Sequence, residues 1–232
     1  MATSARIWAV IPAAGRGTRF GGDIPKQYLE AVGKPLIAHA LDALLSHERI
    51  EGVVVALAAD DVRWPGWTSL HGKPIVRCTG GGERADSVLA ALDALPTEVN
   101  GDALVLVHDA ARPNLRASDI DRLVEAASHC DDGALLAAPL RDTLKRAGSD
   151  SRIAATEPRD GLWRALTPQA FRRAPLTAAL ERARADGVIV TDEAMAMERT
   201  GARPMLVEGR EDNIKVTTPA DLMLVEFLLT RP

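Results

Sequence analysis

The chain has 232 residues, of which 47% are hydrophobic and 26% are charged, a composition that supports a folded core and excludes wholesale disorder. Its formal net charge of −4 excludes a global basic field that would hold it on nucleic acid or on an anionic membrane, so any anionic ligand has to be bound by a local group of cations. Because no apolar run reaches the ~18 to 20 residues of a membrane span, we expect a cytoplasmic protein with one domain over residues 1–232.

Short apolar runs alternate with helix-like stretches along most of the chain. The runs that predict strands are residues 7–13, 53–59, 75–78, 103–107 and 134–139. Helical spacing of apolar residues follows Pro35, a favourable first helical position, and recurs at residues 88–95. Towards the end of the chain we predict helices at 176–185, 193–198 and 221–229, and a strand at 205–207. This alternation predicts an α/β fold with a Rossmann-like, mostly parallel sheet, helices on both faces, and ligands at the carboxyl ends of the strands.

Residues 141–158 interrupt the alternation. They are polar and rich in charge, and the sequence GSDS lies at their centre, which predicts a projecting β-hairpin arm. A lone two-stranded hairpin is marginal in water, so we expect the arm to pack against a symmetric partner chain in a homodimer.

The first predicted strand ends in residues 12–19, which read PAAGRGTR. Small residues allow backbone N–H groups to approach a phosphate closely. The loop is not a Walker A motif, and Phe20 stands where a dinucleotide-binding loop has its third glycine. Arg16, Arg19 and Lys26 add three cations within eleven residues, so the sequence predicts a phosphate-binding loop.

Two further motifs follow predicted strands. Residues 80–88, GGGERADSV, open a helix, so that their backbone and the Ser87 hydroxyl can read the polar edge of a base. Asp109 follows the fourth strand, where a carboxylate can hold a hard cation and, through it, a triphosphate. His108 precedes it, but no serine in a Gly-x-Ser-x-Gly elbow completes a hydrolase triad, so we interpret His108 as structural.

With these motifs the sequence resembles the 2-C-methyl-D-erythritol 4-phosphate cytidylyltransferases of the non-mevalonate isoprenoid pathway. The first loop and PKQY at 25–28 are similar to nucleotidyltransferases broadly, whereas HDAARP at 108–113 is specific. The likeness continues through residues 139–145, 159–169, 191–193 and 208–217, and covers the chain from residue 7 to about residue 228. Some relatives have an acidic residue where this chain has Gly82, which leaves only a backbone contact at that position.

The resemblance implies that an acceptor phosphate attacks the α-phosphorus of CTP in line and releases pyrophosphate, with Mg²⁺ or another divalent cation as cofactor. Arg19 and Lys26 would offset charge on the α-phosphoryl group and pyrophosphate, while Arg159 and Lys215 would aim the acceptor phosphate. Because Arg159 follows the arm directly, we expect it to reach into the partner's site.

The remaining assigned residues fall into three groups. The nucleotide-binding residues are Pro12, Ala13, Ala14, Gly15, Gly17, Gly81, Gly82, Ser87, Asp109 and Ala110. The residues that bind the polyol phosphate are Arg112, Thr143, Arg159, Thr167, Thr191 and Lys215, and the metal-binding residue is Asp109. Two alternatives stay open at this stage: a cytidylyltransferase for another polyol phosphate, such as ribitol 5-phosphate, and a non-catalytic nucleotide-binding module with the same fold.

Overall fold

The computed structural model describes residues 7–15 and 24–231. In chain order the elements are β1 (Ile7–Ala13), a 3-10 helix (Lys26–Tyr28), β2 (Glu30–Ala31), β3 (Lys34–Pro35), α1 (Leu36–Leu45), β4 (Ile50–Leu57), β5 (Ser69–Leu70), β6 (Lys73–Thr79), α2 (Arg84–Asp93), β7 (Leu104–Val107), α3 (Ala117–Ser128), β8 (Ala134–Pro139), β9 (Leu144–Ala147), β10 (Ile153–Glu157), β11 (Trp163–Arg172), α4 (Arg173–Ala185), α5 (Glu193–Glu198), β12 (Met205–Glu208) and α6 (Pro219–Leu229).

A mixed sheet of eight strands forms the centre of the fold, in the order β12-β8-β11-β7-β1-β4-β6-β5. β1 is parallel to β4 and β7, β4 is parallel to β6, and β8 is parallel to β12. β11 runs antiparallel between β7 and β8, and β5 runs antiparallel to β6. The mostly parallel, helix-flanked sheet that the sequence predicts is confirmed. Its parallel arrangement brings the loops after β1, β6 and β7 to one edge.

Helices cover both faces of the sheet because successive residues of a strand point to opposite sides. In β1, Ile7, Ala9 and Ile11 pack with α1 and α3, whereas Trp8 and Val10 pack with α2, α4 and α5. Six of the ten residues of α1 are buried, and burying each large apolar side chain contributes about 1.5–3 kcal/mol. None of the helices in the described part of the chain is long and apolar enough to cross a membrane.

The predicted arm is a hairpin of β9 and β10. Within the described residues these strands pair with each other in a sheet of their own and do not join the large sheet. Ile153 on the arm is 67% exposed, and Leu162 and Trp163 just beyond it are 43% and 37% exposed. The arm therefore offers apolar surface that its own chain leaves uncovered.

One strand is absent from the sequence prediction, and one local prediction needs correction. The sequence does not reveal β11, which contributes ten residues to the middle of the sheet. Pro168 argues against a central strand because proline cannot donate a ladder hydrogen bond, and the pairing with β8 is indeed irregular between Ala165 and Gln169. Pro35 is the N-cap of α1, with an extended backbone, rather than its first helical residue.

Candidate active site

A cavity of about 440 Å³ lies at the carboxyl ends of the parallel strands. Five segments converge on it: the end of β1, the 3-10 helix, the glycine loop between β6 and α2 with the start of that helix, the loop after β7, and the segment after β12. The lining residues are Pro12, Ala13, Ala14, Gly15, Lys26, Gln27, Gly81, Gly82, Glu83, Arg84, Ser87, Asp109, Ala110, Ala111, Lys215 and Thr217. The fold thus gathers residues from both ends of the sequence around one space.

Hydrogen bonds to Ser87 shape the glycine loop. The Ser87 hydroxyl accepts from the Gly81 N–H at 3.2 Å and lies 3.2 Å from the Glu83 carbonyl, to which it donates. At Gly80 a side chain has no room, since a Cβ there would lie 2.6 Å from the Cβ of Ala14. The loop is therefore packed directly against the end of β1, and its backbone edge faces the cavity beside the positive end of α2.

Gly82 differs from its neighbour Gly80. A Cβ built at Gly82 meets no atom within 4 Å, so the cavity has room for a side chain at this position. An acidic side chain would fit here sterically, and with glycine this wall of the cavity is formed by the backbone.

The 3-10 helix brings Lys26 to the cavity. Its next residue, Gln27, is buried and donates from Nε2 to the carbonyl of Ala13 at 2.8 Å. The Tyr28 hydroxyl donates to Asp61 Oδ2 at 2.8 Å. These two bonds fix the helix against β1 on one side and against the loop after β4 on the other, which places Lys26 in the wall of the cavity.

Asp109 is the centre of charge in the cavity. Its Oδ1 accepts from Arg84 Nε at 3.2 Å, and its Oδ2 lies 2.7 Å from Lys215 Nζ and 3.8 Å from Arg112 Nε. Burial alone would raise the pKa of Asp109, but the charges of Arg84, Lys215 and Arg112 outweigh it and hold the pKa well below its usual range. Asp109 is therefore ionised at neutral pH.

Arg84 connects Asp109 to a second carboxylate. Its Nη1 and Nη2 donate to the two carboxylate oxygens of Glu193 at 2.5 and 3.0 Å. Burial would lower the pKa of Arg84, but Glu193 and Asp109 raise it above its ordinary value, so the guanidinium stays charged. This paired geometry is the strong form of an ion pair.

A layer of buried polar groups supports Asp109 from below. Thr167 accepts from the Asp109 N–H at 3.0 Å, and its hydroxyl lies 3.1 Å from His108 Nδ1. His108 Nε2 lies 3.0 Å from the carbonyl of Arg112. These contacts assign the proton to Nε2, so Thr167 donates to Nδ1 of a neutral ring. Burial lowers the pKa of His108 to about 4, consistent with the structural interpretation of this residue.

Arg112 and Asn213 belong to the same layer. Arg112 Nη1 donates to the carbonyl of Asn213 at 2.7 Å, and Asn213 Nδ2 donates to the carbonyl of Thr167 at 2.8 Å. Both side chains are largely or fully buried. Since Asn213 precedes Lys215 by two residues, these bonds fix the segment that carries Lys215.

The structure brings most of the predicted residues together. Lys26 and Lys215 line the cavity with all of the predicted nucleotide-binding residues except Gly17. Gly17 and Arg19 lie outside the described residues. Five residues that the sequence assigned to the acceptor do not line the cavity: Arg112, Thr143, Arg159, Thr167 and Thr191.

Those five residues lie in two kinds of place. Arg112 and Thr167 are buried under the cavity floor, while Thr143, Arg159 and Thr191 are exposed. Arg159 Nη1 donates to the carbonyl of Arg141 at the base of the arm. Their roles in binding the acceptor stay predictions.

The sequence reasoning gave no role to Arg84 or Glu193. Arg84 lies in the motif at 80–88 and Glu193 in the segment 191–193, but they are 109 residues apart, and no local pattern connects them. One sequence signal could have identified Arg84. It is a charged residue at the first position of a helix that begins after a glycine loop.

The donor set at the cavity fits a magnesium ion. In the described part of the chain, no three His, Cys, Asp or Glu side chains converge into a metal-binding cluster. Mg²⁺ is usually held by one or two carboxylates with substrate phosphates and water, and the ionised Asp109 in the cavity wall supplies such a carboxylate.

Comparisons with known proteins identify the family. The family model for 2-C-methyl-D-erythritol 4-phosphate cytidylyltransferase (IspD) matches residues 7–231. The chain is 63% identical over 223 residues to the protein of that name from Xanthomonas campestris pv. campestris (strain 8004), covering 96% of this chain and 84% of the relative. It is 62% identical to the one from Stenotrophomonas maltophilia (strain K279a), covering 98% of each chain.

A solved structure gives the same result. The crystal structure of the Francisella tularensis 2-C-methyl-D-erythritol 4-phosphate cytidylyltransferase superposes with a TM-score of 0.83 at 32% identity, covering 97% of this chain and all of the other. The match thus extends over sequence, fold and nearly the full length. The chain belongs to the 2-C-methyl-D-erythritol 4-phosphate cytidylyltransferase family.

Proposed function

We propose that the chain joins the phosphate of 2-C-methyl-D-erythritol 4-phosphate to CMP from CTP and releases pyrophosphate. An acceptor phosphate oxygen forms a bond to the α-phosphorus, and the bond from that phosphorus to the β-phosphate bridging oxygen breaks, with its electron pair leaving on pyrophosphate. The observation that carries this proposal is Asp109, in contact with Arg84 and Lys215, in a cavity lined by the glycine loop and by the end of β1. Family membership supplies the two substrates.

Charge is the main obstacle to this reaction, since both reactants are anions. Two unit charges ~4 Å apart repel by about 4 kcal/mol at an effective dielectric of 20. Lys26 and Lys215 both line the cavity. In this proposal Lys26 would offset charge on the α-phosphoryl group, and Lys215 would do so on the acceptor phosphate. The acceptor phosphate is already ionised at neutral pH, so no side chain has to remove a proton from it.

Asp109 is the residue that would hold Mg²⁺. When bound, the ion would neutralise charge on the triphosphate and help to hold it in place for attack. The depressed pKa of Asp109 means that its carboxylate is ionised across the neutral range.

The glycine loop is the proposed site for the cytosine ring. Ser87 holds the Gly81 N–H, and the backbone of Gly81 and Gly82 lines the cavity. A rigid row of peptide groups can distinguish bases by the pattern of donors and acceptors on their edges. Gly15, at the end of the described first loop, would lie beside the triphosphate.

The acceptor pocket is proposed to be shared between two chains. Thr143 and Arg159 lie at the two ends of the arm, outside the cavity lining of their own chain. The exposed apolar residues of the arm favour a symmetric partner. In such a homodimer the arm would carry Thr143 and Arg159 to the partner's Lys215.

A cytoplasmic location, with Cys78 and Cys130 both free, is part of the same proposal.

Lys26 provides the first test. Lys26→Ala should lower kcat/KM for CTP by more than the ~10-fold expected for a peripheral charge, measured as pyrophosphate release. Lys34→Ala is the matched control, since Lys34 is an exposed lysine in the neighbouring β3, and it should stay within about twofold of the parent. Near-normal pyrophosphate release by Lys26→Ala would remove Lys26 from the mechanism.

A complementation experiment tests the shared pocket. Lys26→Ala and Arg159→Ala would each be nearly inactive, and co-refolding equal amounts would produce about half heterodimers. If Arg159 acts in the partner's site, one site of each heterodimer has both wild-type residues, and activity returns to about a quarter of the parent. If Arg159 acts in its own chain, every site lacks one residue and the mixture stays inactive.

A further inference from the structure

Glu193 is a fully buried carboxylate beside the cavity to which the proposed reaction gives no role. Both of its oxygens accept from the terminal nitrogens of Arg84, while Nε of the same guanidinium donates to Asp109. Arg84 itself lines the cavity. One guanidinium therefore spans two carboxylates, one in the site and one behind it.

The position of Glu193 is fixed by the central sheet. Gln169, in β11, donates from Nε2 to Asp192 Oδ2 at 2.9 Å and accepts from the Ala194 N–H at 2.9 Å. Asp192 in turn caps α5 by accepting from the Met195 N–H at 2.9 Å. Both sequence neighbours of Glu193 are thus tied down, so its carboxylate is a rigid anchor for Arg84.

Lys215 contacts Asp109 in a different way. Its Nζ lies 2.7 Å from Oδ2, and its side chain is 35% exposed, whereas that of Arg84 is 25% exposed and that of Glu193 is 1% exposed. A lysine ammonium on a four-carbon stem can change partners more easily than a guanidinium held by three directed hydrogen bonds. Of these two cations, Lys215 is the one that can leave Asp109.

We propose that Glu193 is a positioning residue that holds Arg84 on Asp109 and so leaves Lys215 as the cation that moves from Asp109 to the acceptor phosphate. This inference rests on the proposed function, in which Lys215 aims that phosphate. Without the Glu193 charge, Arg84 no longer holds Asp109, so Lys215 stays on that carboxylate instead of moving to the acceptor phosphate.

The test compares Glu193→Gln with Glu198→Gln. Glutamine keeps the shape of the side chain but removes its charge, and Glu198 is the exposed glutamate at the other end of α5. For Glu193→Gln we expect the KM for methylerythritol phosphate to rise at least ~10-fold while the calorimetric Kd for CTP changes less than ~3-fold. Glu198→Gln should match the parent in both. A purely structural role would reduce the folded fraction, and thus kcat, at unchanged KM.

A double-mutant cycle and a crystal structure complete the test. If Glu193 acts through Arg84, the variant with both Arg84→Gln and Glu193→Gln loses no more kcat/KM than Arg84→Gln alone. Losses that multiply, or a parental acceptor KM in Glu193→Gln, overturn the inference. The crystal structure of Glu193→Gln should show Arg84 displaced from Asp109, and an unchanged contact would also overturn it. The crystal structure needs no turnover, so it tests the role of Glu193 independently of the reaction. A parent protein that fails to react with methylerythritol phosphate would instead refute the proposed function.

Discussion

Thr167 distinguishes what the structure shows from what the sequence predicts. The sequence assigns its hydroxyl to the acceptor, whereas in the structure this hydroxyl accepts from the Asp109 N–H and donates to His108 Nδ1. Thr167→Val preserves the shape of the side chain and removes the hydroxyl. Each of the two buried partners then loses a hydrogen bond at a cost of about 1–3 kcal/mol, so we expect a loss of roughly 2–6 kcal/mol in the free energy of unfolding.

Thermal and urea unfolding measure this loss. For a chain of this length each kcal/mol corresponds to about 2–4 °C, so the melting temperature should fall by at least about 4 °C. The control Thr143→Val changes an exposed threonine beside the arm and should stay within ~0.5 kcal/mol of the parent. The reasoning is refuted if Thr167→Val has the melting temperature of the parent and raises only the acceptor KM, because the hydroxyl would then bind the substrate and not stabilise Asp109.

Three further predictions concern the glycine loop, the buried histidine and the arm. Gly80→Ala should lower kcat/KM for CTP because the added Cβ would collide with Ala14 at the end of β1, whereas Gly82→Ala places its Cβ in open space and should leave kcat/KM nearly unchanged. Equal effects of the two substitutions would contradict this packing. In metal-free protein the free energy of unfolding should fall by roughly 3 kcal/mol from pH 7 to pH 4, because burial keeps the pKa of His108 at about 4 in the folded chain while the same histidine takes up a proton near pH 6.5 when unfolded. His108→Gln should reduce this pH dependence, and an unchanged pH dependence would contradict the prediction. If the proposed homodimer forms through the arm, Ile153→Asp should give a monomer in light scattering. The control Val62→Asp, at another exposed apolar position, should keep the oligomeric state of the parent, and a dimer that survives Ile153→Asp would argue against the arm as the interface.

The sheet could be predicted from the sequence where its strands are buried on both faces. The runs at 7–13 and 134–139 coincide with β1 and β8, because a strand covered by helices on both sides needs apolar residues at nearly every position. β11 was missed since it combines polar residues with Pro168 in one strand. Tertiary pairing with β7 and β8 overrides that local pattern.

The site could be predicted where a motif places a residue at the end of a strand. Asp109 and the glycine loop follow this rule, and the structure brings them to one cavity. The partners of a buried side chain could not be predicted in this way, because they depend on which distant element packs against it. Glu193 reaches Arg84 from 109 residues away, and nothing in the local sequence indicates that contact.

The most direct measurement of the central claim is a reaction of the purified protein with CTP, Mg²⁺ and 2-C-methyl-D-erythritol 4-phosphate, followed by pyrophosphate release and by isolation of the cytidine product. The account predicts pyrophosphate and CDP-methylerythritol in equal amounts, and little product when ribitol 5-phosphate replaces the acceptor. CTP binding without pyrophosphate release, or turnover of ribitol 5-phosphate but not of methylerythritol phosphate, would contradict it.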